Sequence, residues 1–146
     1  MYTIGQVSEM FNLPISTLRY YDKEGLIPNI ERVSGIRKFS EKDLEALRVI
    51  ECLKKSGLGI KQIKQFMQWC VEGSSTYPQR KEFFEKQKKH VEEEIDRLNK
   101  VLAMLQFKCW YYDEALKNGN EDKLATLPTT DMPSDVRRAY FVSHNN

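Results

Sequence analysis

The sequence predicts a mainly α-helical protein, a small helical head followed by one long helix. Three observations carry this. Two short amphipathic segments flank a tight break at Asn12-Leu13-Pro14. Helix-start signals recur at Thr3, Ser40 and Gly59. From about residue 78 the apolar period lengthens to seven and holds to about residue 117.

Each element has its own local cause. Thr3-Ile4-Gly5-Gln6 spells a capping box, in which the threonine hydroxyl and the glutamine three residues on satisfy free helix N–H groups. The helix it opens carries Ile4, Val7, Met10 and Phe11 on one face. Pro14 suits the first turn of a second helix, where its missing N–H would be unbonded anyway. That helix runs through Ile15-Ser16-Thr17-Leu18-Arg19-Tyr20-Tyr21 and ends at Gly25. Ile15, Leu18 and Tyr21 share a face, which leaves Ser16, Thr17, Arg19 and Tyr20 on the other sides. Two short helices joined by a tight turn are a helix-turn-helix candidate. Residues 26–39, with Pro28 and Gly35 among alternating apolar and basic positions, read as a short hairpin or irregular wing. Ser40 and Asp43 form a second capping box, opening a helix over about 40–56 that Gly57 can close. Gly59 is an acceptable cap for a helix over about 60–72, with Ile63, Phe66, Met67 and Cys70 on one stripe. Gly73-Ser74-Ser75 is a linker. These elements make a head over residues 1–73.

The long helix is expected over residues 76–118. Phe84, Val91, Leu98, Leu105 and Tyr112 recur every seven positions, and Ile95, Leu102, Cys109 and Leu116 form a second row. This is a coiled-coil seam. At 1.5 Å per residue the helix is about 60 Å long, too long to cover its seam within a small domain. A second copy of the chain is the expected partner. Residues 119–146 hold Pro128 and Pro133 and no clear period, and are expected to form a poorly ordered tail, with Tyr140-Phe141 as a possible anchor.

Composition narrows the function. Hydrophobic residues are 40% and charged residues 30% of 146, which excludes a disordered or low-complexity chain. Net charge is only +2, and acids and bases nearly balance in each part, so nucleic-acid binding would need a local basic patch. No apolar run approaches the ~18 residues of a membrane span, so no membrane partner is expected. No export signal is read, and three cysteines, an odd number, fit a reducing cytoplasm. Cys52, Cys70 and Cys109 lie too far apart in sequence, and from His90 and His144, for an ordinary zinc site. No glycine-rich phosphate loop or nucleophile motif is present, so neither a cofactor nor an enzyme activity is expected.

The motifs then line up. Leu18-Arg19-Tyr20-Tyr21-Asp22, Gly25-Leu26-Ile27-Pro28, Gly35-Ile36-Arg37-Lys38-Phe39-Ser40, Asp43-Leu44 and Gly57-Leu58 occur in this order. Together they resemble the MerR family of bacterial transcription regulators, by motif over residues 2 to about 70 and by architecture over 76–118. The resemblance implies a winged helix-turn-helix DNA-binding head followed by a long antiparallel coiled-coil dimerisation helix. It implies a homodimer on palindromic promoter DNA, with the second helix of each copy in a major groove. It also implies regulation by bending and untwisting the duplex, with RNA polymerase as an indirect partner at the promoter.

Candidate contacts follow. Arg19 can read guanine bidentately or clamp a phosphate, and Ser16 and Thr17 can donate to a base edge or phosphate. Tyr20 can donate to a phosphate. On residue type alone, Arg19 and Tyr20 could equally be ordinary surface side chains. The family pattern supports a phosphate grip by Arg37. For Lys38 a solvated lysine is nearly as good a reading.

An effector is harder to read. Leu44, Leu47, Ile50 and Leu53 form the buried stripe of their helix, and Cys52 falls about 150° from its centre. The thiol must face solvent or another element, and Lys54 and Lys55 are near enough in sequence to favour its thiolate. The Glu51-Cys52-Leu53-Lys54 context resembles the NmlR and AdhR branch of the family, which implies sensing of aldehydes or electrophiles through one cysteine. The alternative is a small spacer at an interface. Cys70 is expected in the core and Cys109 in the seam. Trp69, Trp110, Tyr111 and Tyr112 are expected to pack, with a small apolar ligand pocket as the other option. A coiled-coil protein whose head binds protein rather than DNA is the rival from another class.

Overall fold

A computed structural model of the chain describes residues 1–145. The chain divides into two compact units, Met1–His90 and the residues from Val91 onward.

In the first unit, β1 (Tyr2–Thr3) leads into α1 (Ile4–Phe11) through the expected capping box, with Thr3 and Gln6 bonded reciprocally. Asn12 adopts a left-handed conformation, and its backbone N–H and that of Leu13 bond the last carbonyls of α1. The turn delivers Pro14 as the cap of α2 (Ile15–Lys23). The wing is a hairpin of β2 (Glu31–Val33) and β3 (Ile36–Phe39). Its two turn residues, Ser34 and Gly35, both have positive φ, as the tight two-residue hairpin requires. β3 also pairs with β1 on its other edge, Tyr2 opposite Phe39, giving a three-stranded antiparallel sheet ordered β1-β3-β2. A two-residue strand has no period to read, so β1 was not legible in the sequence.

The Ser40–Asp43 capping box opens α3 (Glu41–Lys55), and Gly57 closes it at φ +100°. Leu44, Leu47, Ile50 and Leu53 are essentially inaccessible to solvent. Each such burial stabilises the fold by roughly 1.5–3 kcal/mol. They meet Val7, Leu18, Tyr21, Phe39 and, from α4 (Ile60–Glu72), Ile63, Phe66 and Met67. Cys70 departs from expectation. It is exposed, because the buried stripe of α4 ends at Met67 and the last turn projects past the core.

The linker forms a single 3₁₀ turn, Ser74–Thr76, before α5 (Tyr77–Asn118), a helix of 42 residues. Arg80, one turn into α5, reaches back to the carbonyls of Trp69 and Gly73 at 3.1 and 2.7 Å. Its cation thus meets the negative end of α4. Phe83 stacks on Phe66 with ring centres 5.3 Å apart, and Phe84 meets the same ring edge-on at 5.1 Å.

The second unit corrects the expected tail. Residues after 118 form α6 (Asp122–Ala125), a 3₁₀ turn and α7 (Ser134–His144). Val136 and Met132 bury against Phe107 of α5, and the Tyr140 ring meets Phe107 edge-on at 5.2 Å. The α7 stripe spans only three turns, too short to read as a period. Its docking face on α5 lies away from the heptad seam: at about 100° per residue Phe107 is roughly opposite Leu98. The seam itself stays bare. Val91, Ile95, Leu98, Leu102, Leu105, Cys109 and Tyr112 are all exposed, Leu98 at 54%. Phe84 is divided between the seam and its contact with Phe66.

Candidate nucleic-acid interface

The surface of interest is built on α2 and the wing. Leu18 and Tyr21 anchor α2 in the core, and this turns Ser16, Arg19 and Tyr20 to solvent, with Thr17 half-buried. Ile15, expected on the inner face, is partly exposed at the start of the helix. The exposed face of α2 therefore carries one guanidinium, two aliphatic hydroxyls and one phenol. This set can donate to phosphates and to base edges.

The wing arginines are arranged differently from a pair of free cations. Arg32 and Arg37 stand directly opposite each other across the hairpin. Both guanidinium groups converge on one oxygen of Asp22, near the end of α2: Arg37 Nε at 2.7 Å and Arg32 Nη2 at 3.2 Å. Lys38 sits opposite Glu31 and is half-buried. Asp22 was part of the sequence motif, but its partners lie 10 and 15 residues away, and only the hairpin register brings them together.

A second polar group ties α2 to α3. The Tyr21 hydroxyl donates to Glu51 Oε1 at 2.8 Å and accepts from Lys54 Nζ at 2.9 Å. Burial raises the Tyr21 hydroxyl above its ordinary pKa, and the bond to Tyr21 raises that of the Lys54 ammonium. Lys54 thus turns its ammonium to Tyr21. Cys52 is exposed on α3, between Glu51 and the buried Leu53. No group of His, Cys, Asp and Glu among the described residues could hold a metal ion, and no described helix is long and apolar enough to cross a membrane.

The aromatic residues pack. Trp69 meets Phe83 edge-on at 5.8 Å, Trp110 lies beside Phe107, and Tyr111 and Tyr112 meet edge-on at 5.1 Å. Trp110 also lines an open groove of about 560 Å³ with Leu102, Val136 and Arg138. A second groove, about 480 Å³, lies in the first unit between Ile27, Ala46, Val49, Met67 and Cys70.

Residues 2–69 match the model of the MerR HTH family regulatory proteins. An uncharacterized HTH-type transcriptional regulator of Haemophilus influenzae is 38% identical over 128 residues, which is 87% of this chain and 94% of that protein. The HTH-type transcriptional regulator AdhR of Bacillus subtilis is 39% identical over 79 residues, 53% of this chain and 56% of AdhR. The fold is similar to the crystal structure of HiNmlR, a MerR family regulator lacking the sensor domain, bound to promoter DNA. The TM-score is 0.73 at 38% identity, covering 83% of this chain and 97% of that one. These relatives are transcription regulators rather than enzymes, and they lie in the NmlR- and AdhR-like branch. The family match spans the helix-turn-helix and the wing, the relatives match over most of their length, and this chain belongs to the MerR family of transcription regulators.

Proposed function

We propose that two copies of this chain join along the α5 seam and bind palindromic promoter DNA, one α2 helix in each of two major grooves. The observation that carries this is the face of α2: Arg19, Ser16 and Tyr20 stand in solvent on a helix whose opposite side is locked into the core by Leu18 and Tyr21. A helix held rigidly with donors outward is pre-organised to read a groove. Arg19 supplies the directed contact, Ser16, Thr17 and Tyr20 position the helix on phosphates, and Lys38 adds charge from the wing. The bare row from Val91 to Tyr112 supports the dimer, because so long an apolar stripe finds cover in a second, antiparallel α5. Contacts on two half-sites can offset a DNA deformation cost of order 1–6 kcal/mol, so the bound duplex is bent and untwisted, and polymerase is affected through the promoter's shape. The test is selection of a duplex from a random library by the purified protein. It should return an inverted repeat, bound by a dimer with steep salt dependence and bent in an end-to-end energy-transfer assay. A monomer, or no enriched repeat, refutes the reading.

One observation favours a role for Cys52 in sensing. Its exposed thiol is carried by α3, the helix whose Glu51 and Lys54 hold Tyr21 of α2. Addition of the thiolate to an aldehyde carbonyl or an activated alkene forms a C–S bond, breaks the π bond, leaves the resulting anion to take a proton from water, and adds bulk to the outer surface of that helix. Packed contacts tolerate added volume poorly, at typically 1–3 kcal/mol, enough to shift a two-state head severalfold. Promoter output in response to a mild electrophile should be lost in Cys52→Ser. Full induction in that variant, or modification of Cys70 or Cys109 in place of Cys52, rejects it.

A further inference from the structure

The wing holds two arginines, but they are not equivalent. Cross-strand neighbours of like charge repel. Here Arg32 and Arg37 are direct cross-strand partners, and one carboxylate oxygen of Asp22 lies between them. Arg37 makes the closer bond, 2.7 Å through Nε, and its side chain keeps only 21% of its accessible surface, against 19% for Asp22. Arg32 bonds at 3.2 Å through a single Nη2 and remains 51% exposed. A guanidinium has five N–H donors, so Arg32 retains a free fork facing solvent, while Arg37 is drawn inward beside the carboxylate.

We infer that Asp22 and Arg37 are a positioning pair that fixes the wing against α2, and that Arg32 is the arginine that grips phosphate. This rests on the DNA-reading role proposed above and reverses the expectation that Arg37 is the wing's phosphate contact. The physical logic is pre-organisation. A three-residue strand and a four-residue strand joined by a two-residue turn have little core of their own, and on the wing only Phe39 is fully buried. Without Asp22 the two cations would push the strands apart and away from α2. With it, α2 and the wing meet the duplex as one surface, and less ordering entropy is lost on binding.

The two roles separate by salt dependence. Each phosphate contact contributes about 0.9 to the slope of log affinity against log salt. The probe is a duplex enriched from a random library by the wild-type protein, with a scrambled duplex of the same composition beside it, titrated in KCl by fluorescence anisotropy. Arg32→Ala should weaken both duplexes and lower the slope by about 0.9 per copy engaged. Arg37→Ala should weaken the enriched duplex about tenfold with the slope unchanged, and Arg37→Lys should recover part of the loss. Asp22→Asn is the sharpest case. Removing a negative charge beside DNA would, by electrostatics alone, tighten both duplexes. The positioning role predicts weaker binding to the enriched duplex, and a double variant with Arg37→Ala no worse than the poorer single one. Asp22→Asn that binds the enriched duplex as tightly as wild type overturns the inference, as does a slope that falls by about 0.9 in Arg37→Ala. If Asp22→Asn fails to fold, the Arg37→Ala slope decides alone. The underlying reading fails separately: Arg19→Ala would then leave binding unchanged, or wild type would enrich no duplex, and the inference falls with it.

Discussion

The Tyr21 hydroxyl, on the helix that carries Arg19, donates to Glu51 Oε1 of α3 at 2.8 Å across thirty positions of sequence. Lys54 completes the group from the other side. The orientation of α2 therefore depends on a polar contact to α3 as well as on Leu18 in the core.

That contact has a pH signature. Tyr21 and Lys54 both hold their protons more tightly in the fold than at their ordinary values of 10.0 and 10.5. Unfolding therefore releases protons once pH passes about 10, and stability falls as pH rises. Below the ordinary values the contribution is complete. The thermal midpoint of wild type should be flat to about pH 9.5 and then fall more steeply than that of Tyr21→Phe, which should itself lose about 1 kcal/mol at neutral pH. Parallel curves for the two proteins between pH 8 and 11 would show that the contact does not couple to folding.

Assembly should depend on the middle of the α5 seam. Leu98 and Leu102 are more than half exposed in the single chain. Placing glutamate at both would bury unpaired carboxylates in the dimer. Sedimentation at micromolar concentration should then report a monomer or misfolded protein where wild type sediments as a dimer. Glutamate at exposed positions off the seam, such as Lys100, should leave the dimer intact.

On α2, Arg19→Ala should cost about 1–3 kcal/mol of affinity for the selected duplex, with little change on scrambled DNA, and the far-ultraviolet circular dichroism should be unchanged. Equal losses on both duplexes would make Arg19 a phosphate contact rather than a base reader.

The second unit can be tested without DNA. Phe107 is 6% exposed and carries the contacts to Tyr140 and Val136. Phe107→Ala should cost about 3–5 kcal/mol locally. Limited proteolysis should then cut between Asn118 and Ser134, where wild type resists. An unchanged digestion pattern would mean that α7 is held by something other than this cluster.

What the sequence determined by itself was local. Both capping boxes, the break at Asn12-Leu13-Pro14, the left-handed Gly57 and the extent of α5 follow from interactions within four residues, and these are written in the order of side chains. The outward set on α2 was legible for the same reason, since burying Leu18 and Tyr21 leaves Ser16, Arg19 and Tyr20 no other side. That Cys52 lies off the buried stripe of α3 was legible from the spacing of Leu44, Leu47, Ile50 and Leu53, whereas its exposure to solvent was not. Tertiary structure decided what depends on distant partners. That Arg37 and Arg32 meet Asp22 depends on hairpin register. Whether residues 134–144 fold depends on an aromatic face of α5 that the heptad period does not mark, and whether Cys70 is covered depends on where the core ends. Each of these is settled by which surfaces meet, and a short segment gains enough from burial to order itself only when the surface opposite supplies the contact.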